Sequence, residues 1–311
     1  VIFYLEKSKV KPAETTSIEE EIKDTEESVN MLKEGKYPKA PELVGISGYL
    51  NTNEKEIKIS DFRGKVVLID FWTYTCINCI RTLPYLTSWD EKYRNKGLVI
   101  IGVHTPEFEF EKEKENVQGA IEKYGIKYAV VQDNDYATWS SYKNRFWPHK
   151  YLIDSEGYIR YDHIGEGGYE ETELKIQDLL AEIGNDVGNI GVTEEKESEL
   201  MPTTPELYAG SLLSLGRGQY IGNDDASQEG RIKDYKLPNK INKNIIYLDG
   251  QWERNADDLH LVEQEGIVAL DFTAKEVNIV ADAVEPVKME VLINGKYVSE
   301  GESDVYFLYG N

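Results

Sequence analysis

A chain of 311 residues, 40% hydrophobic and 30% charged, is long enough for two ordinary domains that each bury a core. A net charge of −22 excludes the basic face that phosphates require, so nucleic acid is not an expected partner, and it opposes docking on anionic lipid. Two cysteines are too few for a disulfide scaffold, which leaves apolar burial to hold the fold.

The chain begins with five apolar residues, Val1–Leu5, followed by Glu6, Lys7, Lys9 and Lys11. Two readings stay open: an ordinary first strand, or the end of a membrane anchor whose span lies upstream, since five residues cannot cross a bilayer. In the second reading the three lysines mark a cytoplasmic flank by the positive-inside rule. Residues 17–34 predict an amphipathic helix: Ser17 and Glu20 form a capping box, and Ile18, Ile22, Val29 and Leu32 share a stripe. Residues 1–39 are therefore expected to hold an anchor stub and a helix.

From residue 44 the pattern changes. Residues 43–50 and 55–60 alternate in polarity around "NTNE" and suggest a hairpin. "KVVLIDFW" is a continuous apolar strand of the kind buried on both faces. A helix over 76–94, interrupted by Pro84, follows. "LVIIGVHT" and "YAVVQD" are further buried strands, separated by a helix that ends on Gly125. A short helix at "ATWSSYKNR", a hairpin turning at "DSEG" and an amphipathic helix ending on Gly184 complete the run. Strands alternating with helices predict an α/β domain with parallel pairs over 40–184.

Residues 185–205 are polar and Pro-punctuated and are expected to be a linker. Beyond it, over 206–311, strand-like runs carry turn signals at Asp249-Gly250 and Asn294-Gly295 and predict an all-β sandwich. Its apolar last run, "DVYFLYGN", suggests that further strands of the sandwich lie past residue 311.

Cys76 and Cys79 admit three readings. As a staple they close a tiny loop, where the entropic gain is near its minimum. As a zinc site they lack partners, because His104, His149, His163 and His260 show no ligand spacing and no second Cys-x-x-Cys exists. As a redox couple they are well placed, following a buried strand and opening a helix whose free N–H groups stabilise a thiolate. Cys76 would then attack a partner's disulfide, and Cys79, one turn later and more buried, would resolve it. No metal and no cofactor is needed for that chemistry.

"DFWTYTCINC" resembles the thioredoxin pattern. With "FRGKVVLIDFWTYTCINCIRTLPYL", "GVHTPEFEFEKE", "DNDYATWSSYKNRFWPHKYLID" and "GEGGYEETE", it is similar to the DipZ-type branch of the TlpA-like thioredoxins over residues 40–184. The resemblance implies a thioredoxin-like fold with a redox-active Cys76–Cys79 disulfide. It implies that Asp70 is the buried acid taking the proton of Cys79, that Trp72 packs beside the active-site loop, and that Pro148 is cis and presents the backbone of Trp147 to a bound peptide. His104 and Glu107 are expected at the sheet edge near the cysteines, with roles in tuning the thiolate or in plain loop polarity. Ile77-Asn78 stand where thioredoxins have Gly-Pro.

Members of this branch often add a membrane domain of the CcdA kind before the thioredoxin domain and a carbohydrate-binding-module-like, jelly-roll-like sandwich after it. The resemblance therefore implies an extracytoplasmic protein of the periplasm or cell surface, anchored through its N-terminus. It would reduce protein disulfides with electrons from a CcdA/DsbD-like membrane donor, and its sandwich would bind a glycan or protein. Tyr208, Tyr220 and Trp252 are the stacking candidates there. Rival readings are a thiol peroxidase, since Thr73 and Cys76 match Thr-x-x-Cys although Ile69 stands where peroxiredoxins have proline, and a non-catalytic carbohydrate- or partner-binding protein.

Overall fold

The computed structural model describes residue 33 and residues 35–53, 55–193, 204–224, 229–274, 276–281, 288–294, 296–301 and 306–309. The anchor stub and most of the helix expected over 1–39 lie outside the described residues. The chain divides into two compact units, residues 1–195 and 196–311.

In the first unit, every residue of strand β2 (Val66–Trp72) is buried, as a run of Val, Leu, Ile and aromatics interrupted by a single Asp70 favours. It is flanked by β3 (Leu98–His104), parallel to it, and by β5 (His149–Ile153), antiparallel. With β1 (Gly48–Leu50), β4 (Ala129–Gln132) and β6 (Ile159–Ile164), these strands form one sheet in the order β1-β4-β3-β2-β5-β6. The period of two sends alternate residues of β2 into two cores. Val66, Leu68 and Trp72 pack with Leu83, Leu86 and Trp89 of α1 (Ile77–Tyr93), Val117 and Ile121 of α2 (Lys114–Lys123), and Ile176 and Leu180 of α4 (Tyr169–Glu182). Val67, Ile69 and Phe71 face Leu43, Ile59, Tyr142 and Tyr151 on the other side, beside the short helix α3 (Ala137–Ser141).

Three expectations about this first unit are corrected. The hairpin over 43–60 does not form: β1 pairs antiparallel with β4, and residues 59–62 make a 3-10 turn. Asn51 donates its side-chain amide to the Ile126 and Tyr128 carbonyls, and Glu42 accepts from the Ile59 and Ser60 amides, so the returning segment is held as turn rather than strand. Pro84 does not interrupt α1, which runs unbroken past it with the proline on the exposed side. The first part of the expected linker, residues 185–193, is packed on the first unit. Val187 is buried, the Gln177 amide donates to the Ile190 carbonyl, and the Thr193 amide donates to Glu173.

The second unit is an all-β sheet region with, among the described residues, one short helix, α5 (Ser211–Gly216). Its main sheet orders β10 (Ile267–Leu270), β8 (Ile246–Arg254) and β7 (Arg231–Tyr235), and β9 (Leu259–Leu261) also pairs with β8. Two further antiparallel pairs are β11 (Glu276–Ile279) with β14 (Tyr306–Tyr309), and β12 (Met289–Ile293) with β13 (Lys296–Gly301). The turn expected at Asn294 joins β12 to β13. The turn expected at Asp249-Gly250 does not exist; the pair lies inside β8. Ile246–Asp249 pair with β10 and Gly250–Arg254 with β7. Gly250, at φ +95°, makes that changeover where a side chain would press on the Glu265 carbonyl. Ile221, Tyr235, Leu248 and Trp252 form the core of this unit, which removes Trp252 from the stacking candidates. Among the described residues no helix is long and apolar enough to cross a membrane.

Candidate active site

Strand β2 ends at Trp72, and a four-residue loop, Thr73–Cys76, leads into α1. Cys76 is the N-cap of α1, and its sulfur accepts the Cys79 backbone N–H at 3.4 Å. A sulfur there faces the unpaired amides of the first turn and the positive end of the helix dipole. Cys76 is half-buried and Cys79 only 1% exposed, so the first residue is open to solvent and the second is enclosed. Both are free thiols in this structure. Burial pushes the Cys79 thiol well up from its ordinary value; the hydrogen bond and charge of Cys76 and the charge of Asp70 push the same way, and the Thr73 backbone N–H pulls it down. Cys79 is therefore a thiol that must lose a proton before it can attack.

Asp70 lies on the same face of β2 as Trp72, two residues earlier, and is 1% exposed. Desolvation raises its carboxyl to about 7, against the lowering charge of Lys150, its cross-strand neighbour on β5. No hydrogen-bond partner meets Asp70 Oδ1, Trp72 Nε1 or the Tyr128 hydroxyl among the described residues, although all three atoms are buried. Gly102, opposite Asp70 on β3, leaves room for them: a Cβ there would sit 2.9 Å from Trp72 Nε1 and 3.3 Å from the Tyr128 ring.

The peptide bond between Trp147 and Pro148 is cis, as the sequence resemblance implied. Trp147 packs on the same core as Cys76 and Trp72, donates its indole N–H to the Thr105 carbonyl at 3.1 Å and lies 4.2 Å from the Trp139 ring. Pro148 is buried, and its carbonyl accepts the Gly165 amide. His104 is fully buried, with its ring 5.5 Å from Tyr74 and 5.3 Å from Trp72, and burial lowers it to about 3. This neutral, enclosed imidazole sits behind the loop, with Nε2 3.3 Å from the Thr73 hydroxyl. The Glu107 backbone N–H caps a neighbouring carboxylate.

Two residues absent from the sequence-based candidates belong to the site. Lys150 is one, buried beside Asp70 and donating to the Gly165 carbonyl at 3.0 Å. Glu111 is the other. Its fully buried carboxylate accepts the Thr73 and Thr75 hydroxyls, each at 2.5 Å, and the Glu107 and Phe108 amides at 2.5 and 2.9 Å. In sequence Glu111 sits in the acidic run "EFEFEKEKE", which reads as a solvated surface; the paired threonines on either side of Tyr74 were the available signal.

A family profile described as Redoxin matches residues 34–180, and one described as Thioredoxin like C-terminal domain matches residues 204–306. Protein DipZ of Mycobacterium tuberculosis (strain CDC 1551 / Oshkosh) is 40% identical over 246 residues, which are 78% of this chain and 34% of that protein. The chain thus spans about a third of that relative's length. Thiol-disulfide oxidoreductase YkuV of Bacillus subtilis (strain 168) is 27% identical over 143 residues, 46% of this chain and 94% of YkuV. The solved Thiol-disulfide Isomerase from Corynebacterium glutamicum is 24% identical, with a TM-score of 0.42, and the match covers 46% of this chain and 97% of that one.

Proposed function

From the premise that this chain is a DipZ/TlpA-like protein of the thioredoxin fold, we propose that it is a thiol–disulfide oxidoreductase that reduces protein disulfides through Cys76 and Cys79. The observation that carries this reading is the asymmetry of the pair: an accessible sulfur capping α1 and a buried thiol one turn on, influenced by a carboxyl raised to about 7. The Cys76 thiolate attacks one sulfur of the substrate disulfide, forming a mixed disulfide and releasing the other as a thiolate, which takes a proton from water. Cys79 then gives its proton to the Asp70 carboxylate and attacks the Cys76 sulfur. The Cys76–Cys79 disulfide forms, the second substrate thiol leaves, and two electrons have passed to the substrate.

The resemblance to the thioredoxin pattern supports a substrate groove in which the Trp147 backbone pairs with an extended peptide. A dithiol donor must restore the pair, and the resemblance to the DipZ branch supports a CcdA/DsbD-like membrane donor, an extracytoplasmic location and an N-terminal anchor. By the resemblance to the branch's sandwich, the second unit would bind a glycan or protein, with Tyr220, 57% exposed, as the stacking candidate, since the Arg217 guanidinium already lies 4.0 Å over the Tyr208 ring.

The test is reduction of insulin by the full chain with dithiothreitol as donor. Wild type should turn over, Cys76→Ser should be inactive, and Cys79→Ser should accumulate a mixed disulfide visible on a non-reducing gel. Equal rates for wild type and Cys76→Ser would overturn the reading.

A further inference from the structure

Glu111 is hydrogen-bonded to the loop that leads into Cys76. Its carboxylate holds the hydroxyls of Thr73 and Thr75. The Thr73 backbone N–H faces the Cys79 sulfur closely enough to pull that thiol down, and Thr75 precedes Cys76, the cap of α1. The other carboxylate oxygen is pinned by the Glu107 and Phe108 amides, in the loop that follows β3. Thr73, Thr75 and Glu111 are 0%, 6% and 0% exposed, so no water competes for these bonds. A buried carboxylate satisfied by four donors is a rigid anchor, and charge-assisted bonds are about twice as strong as neutral ones.

We propose that Glu111 is a positioning residue, which fixes the Thr73–Thr75 loop against Cys76 and Cys79 and so sets how reactive the Cys76 sulfur is. The inference rests on the assignment of Cys76 as the attacking thiol. With the loop fixed, the Cys76 sulfur stays on the first-turn amides that stabilise a thiolate. Freed, the loop lets that sulfur move off the cap, the thiolate loses stabilisation, and the dithiol state loses with it.

Thr75→Val is the cleanest test, because it deletes one hydroxyl of the clamp at constant shape and leaves the carboxylate with three donors. Thr75→Ser restores the hydroxyl. The full chain is reacted with limiting iodoacetamide at pH 7, the label on Cys76 is quantified by peptide mass spectrometry, and the Cys76–Cys79 equilibrium is measured in glutathione buffers. Thr75→Val should slow Cys76 alkylation by about threefold or more and shift the equilibrium towards the disulfide, and Thr75→Ser should recover most of the wild-type rate. Glu111→Gln, which sets an amide donor against the Glu107 and Phe108 donors, should also shift the equilibrium. Thr75→Val with a lowered melting temperature but wild-type alkylation and equilibrium would overturn the proposal and leave Glu111 a purely structural group. Absence of selective Cys76 labelling in wild type would instead defeat the assignment of the attacking thiol.

Discussion

Asp70 and Lys150 are direct cross-strand partners on β2 and β5, each 1% exposed, and the lysine's charge limits how far burial lifts the carboxyl. The pair thus tunes the group assigned to accept the proton of Cys79. Lys150→Met keeps the volume and removes the charge. Closure of the Cys76–Cys79 disulfide from a trapped mixed disulfide, followed against pH by stopped flow, should show an inflection near 7 in wild type. Lys150→Met should move it to higher pH, so that closure at pH 7 slows. An unmoved inflection would separate Lys150 from the proton step.

Asp70 also links stability to pH. Its folded-state carboxyl, at about 7, lies above the ordinary carboxylate value of 3.8, so the folded protein holds a proton that the unfolded chain has released. The associated stability is fully present below about pH 4 and is lost as pH rises through 7, to a total of roughly 4 kcal/mol. Asp70→Asn has no such loss. Urea unfolding should find the variant gaining on wild type from pH 4 to pH 8, and a constant difference would remove the basis for the raised carboxyl.

His104 works in the opposite direction. Burial holds it near 3, below the 6.5 of an exposed imidazole, so the unfolded chain takes up a proton that the folded one refuses. Stability is full above about pH 6.5 and falls towards pH 3, by roughly 5 kcal/mol at the limit. His104→Gln, without a titrating ring, should show a flatter loss between pH 6.5 and pH 4 in the same urea experiment. A wild-type slope in that variant would rule His104 out as the acid-sensitive group.

Glu173 on α4 joins three segments. Its buried carboxylate accepts Trp89 Nε1 at 3.0 Å, Lys92 Nζ at 2.7 Å, the Tyr93 hydroxyl at 2.7 Å and the Thr193 amide at 2.7 Å. Glu173→Ala leaves buried donors on α1 unmatched and should lower stability by about 3–5 kcal/mol in guanidinium unfolding. It should also open residues 185–193 to protease. Intact protein under limited digestion would show that Val187 and Ile190 hold that segment unaided.

The parts of the fold legible in sequence are those whose signal is local. Val66–Trp72 reads as a buried strand because six of its seven positions are apolar or aromatic, and Cys76 reads as a helix cap because a buried strand precedes it and a helix follows. Residues 48–50 pair with a strand some eighty positions on, a choice that alternation cannot express. Glu111 was hidden for the same reason, since the donors that make it a buried anchor lie up to 38 positions away. Asp249-Gly250 carries a hairpin signal, and only the burial of Leu248 and Trp252 on either side keeps the strand running through it. Lys150 offered no signal at all: a lysine in a strand ordinarily reaches solvent.

Every apolar side chain of β2 is committed to one core or the other, and Thr73 and Thr75 to Glu111. Ile77 and Asn78 are half-buried, occupy the first turn beside Cys76, and belong to neither core. Substitutions at these two positions would leave both cores and the Glu111 bonds intact, whereas a change within the strand would reach the sulfurs only by way of folding mutants.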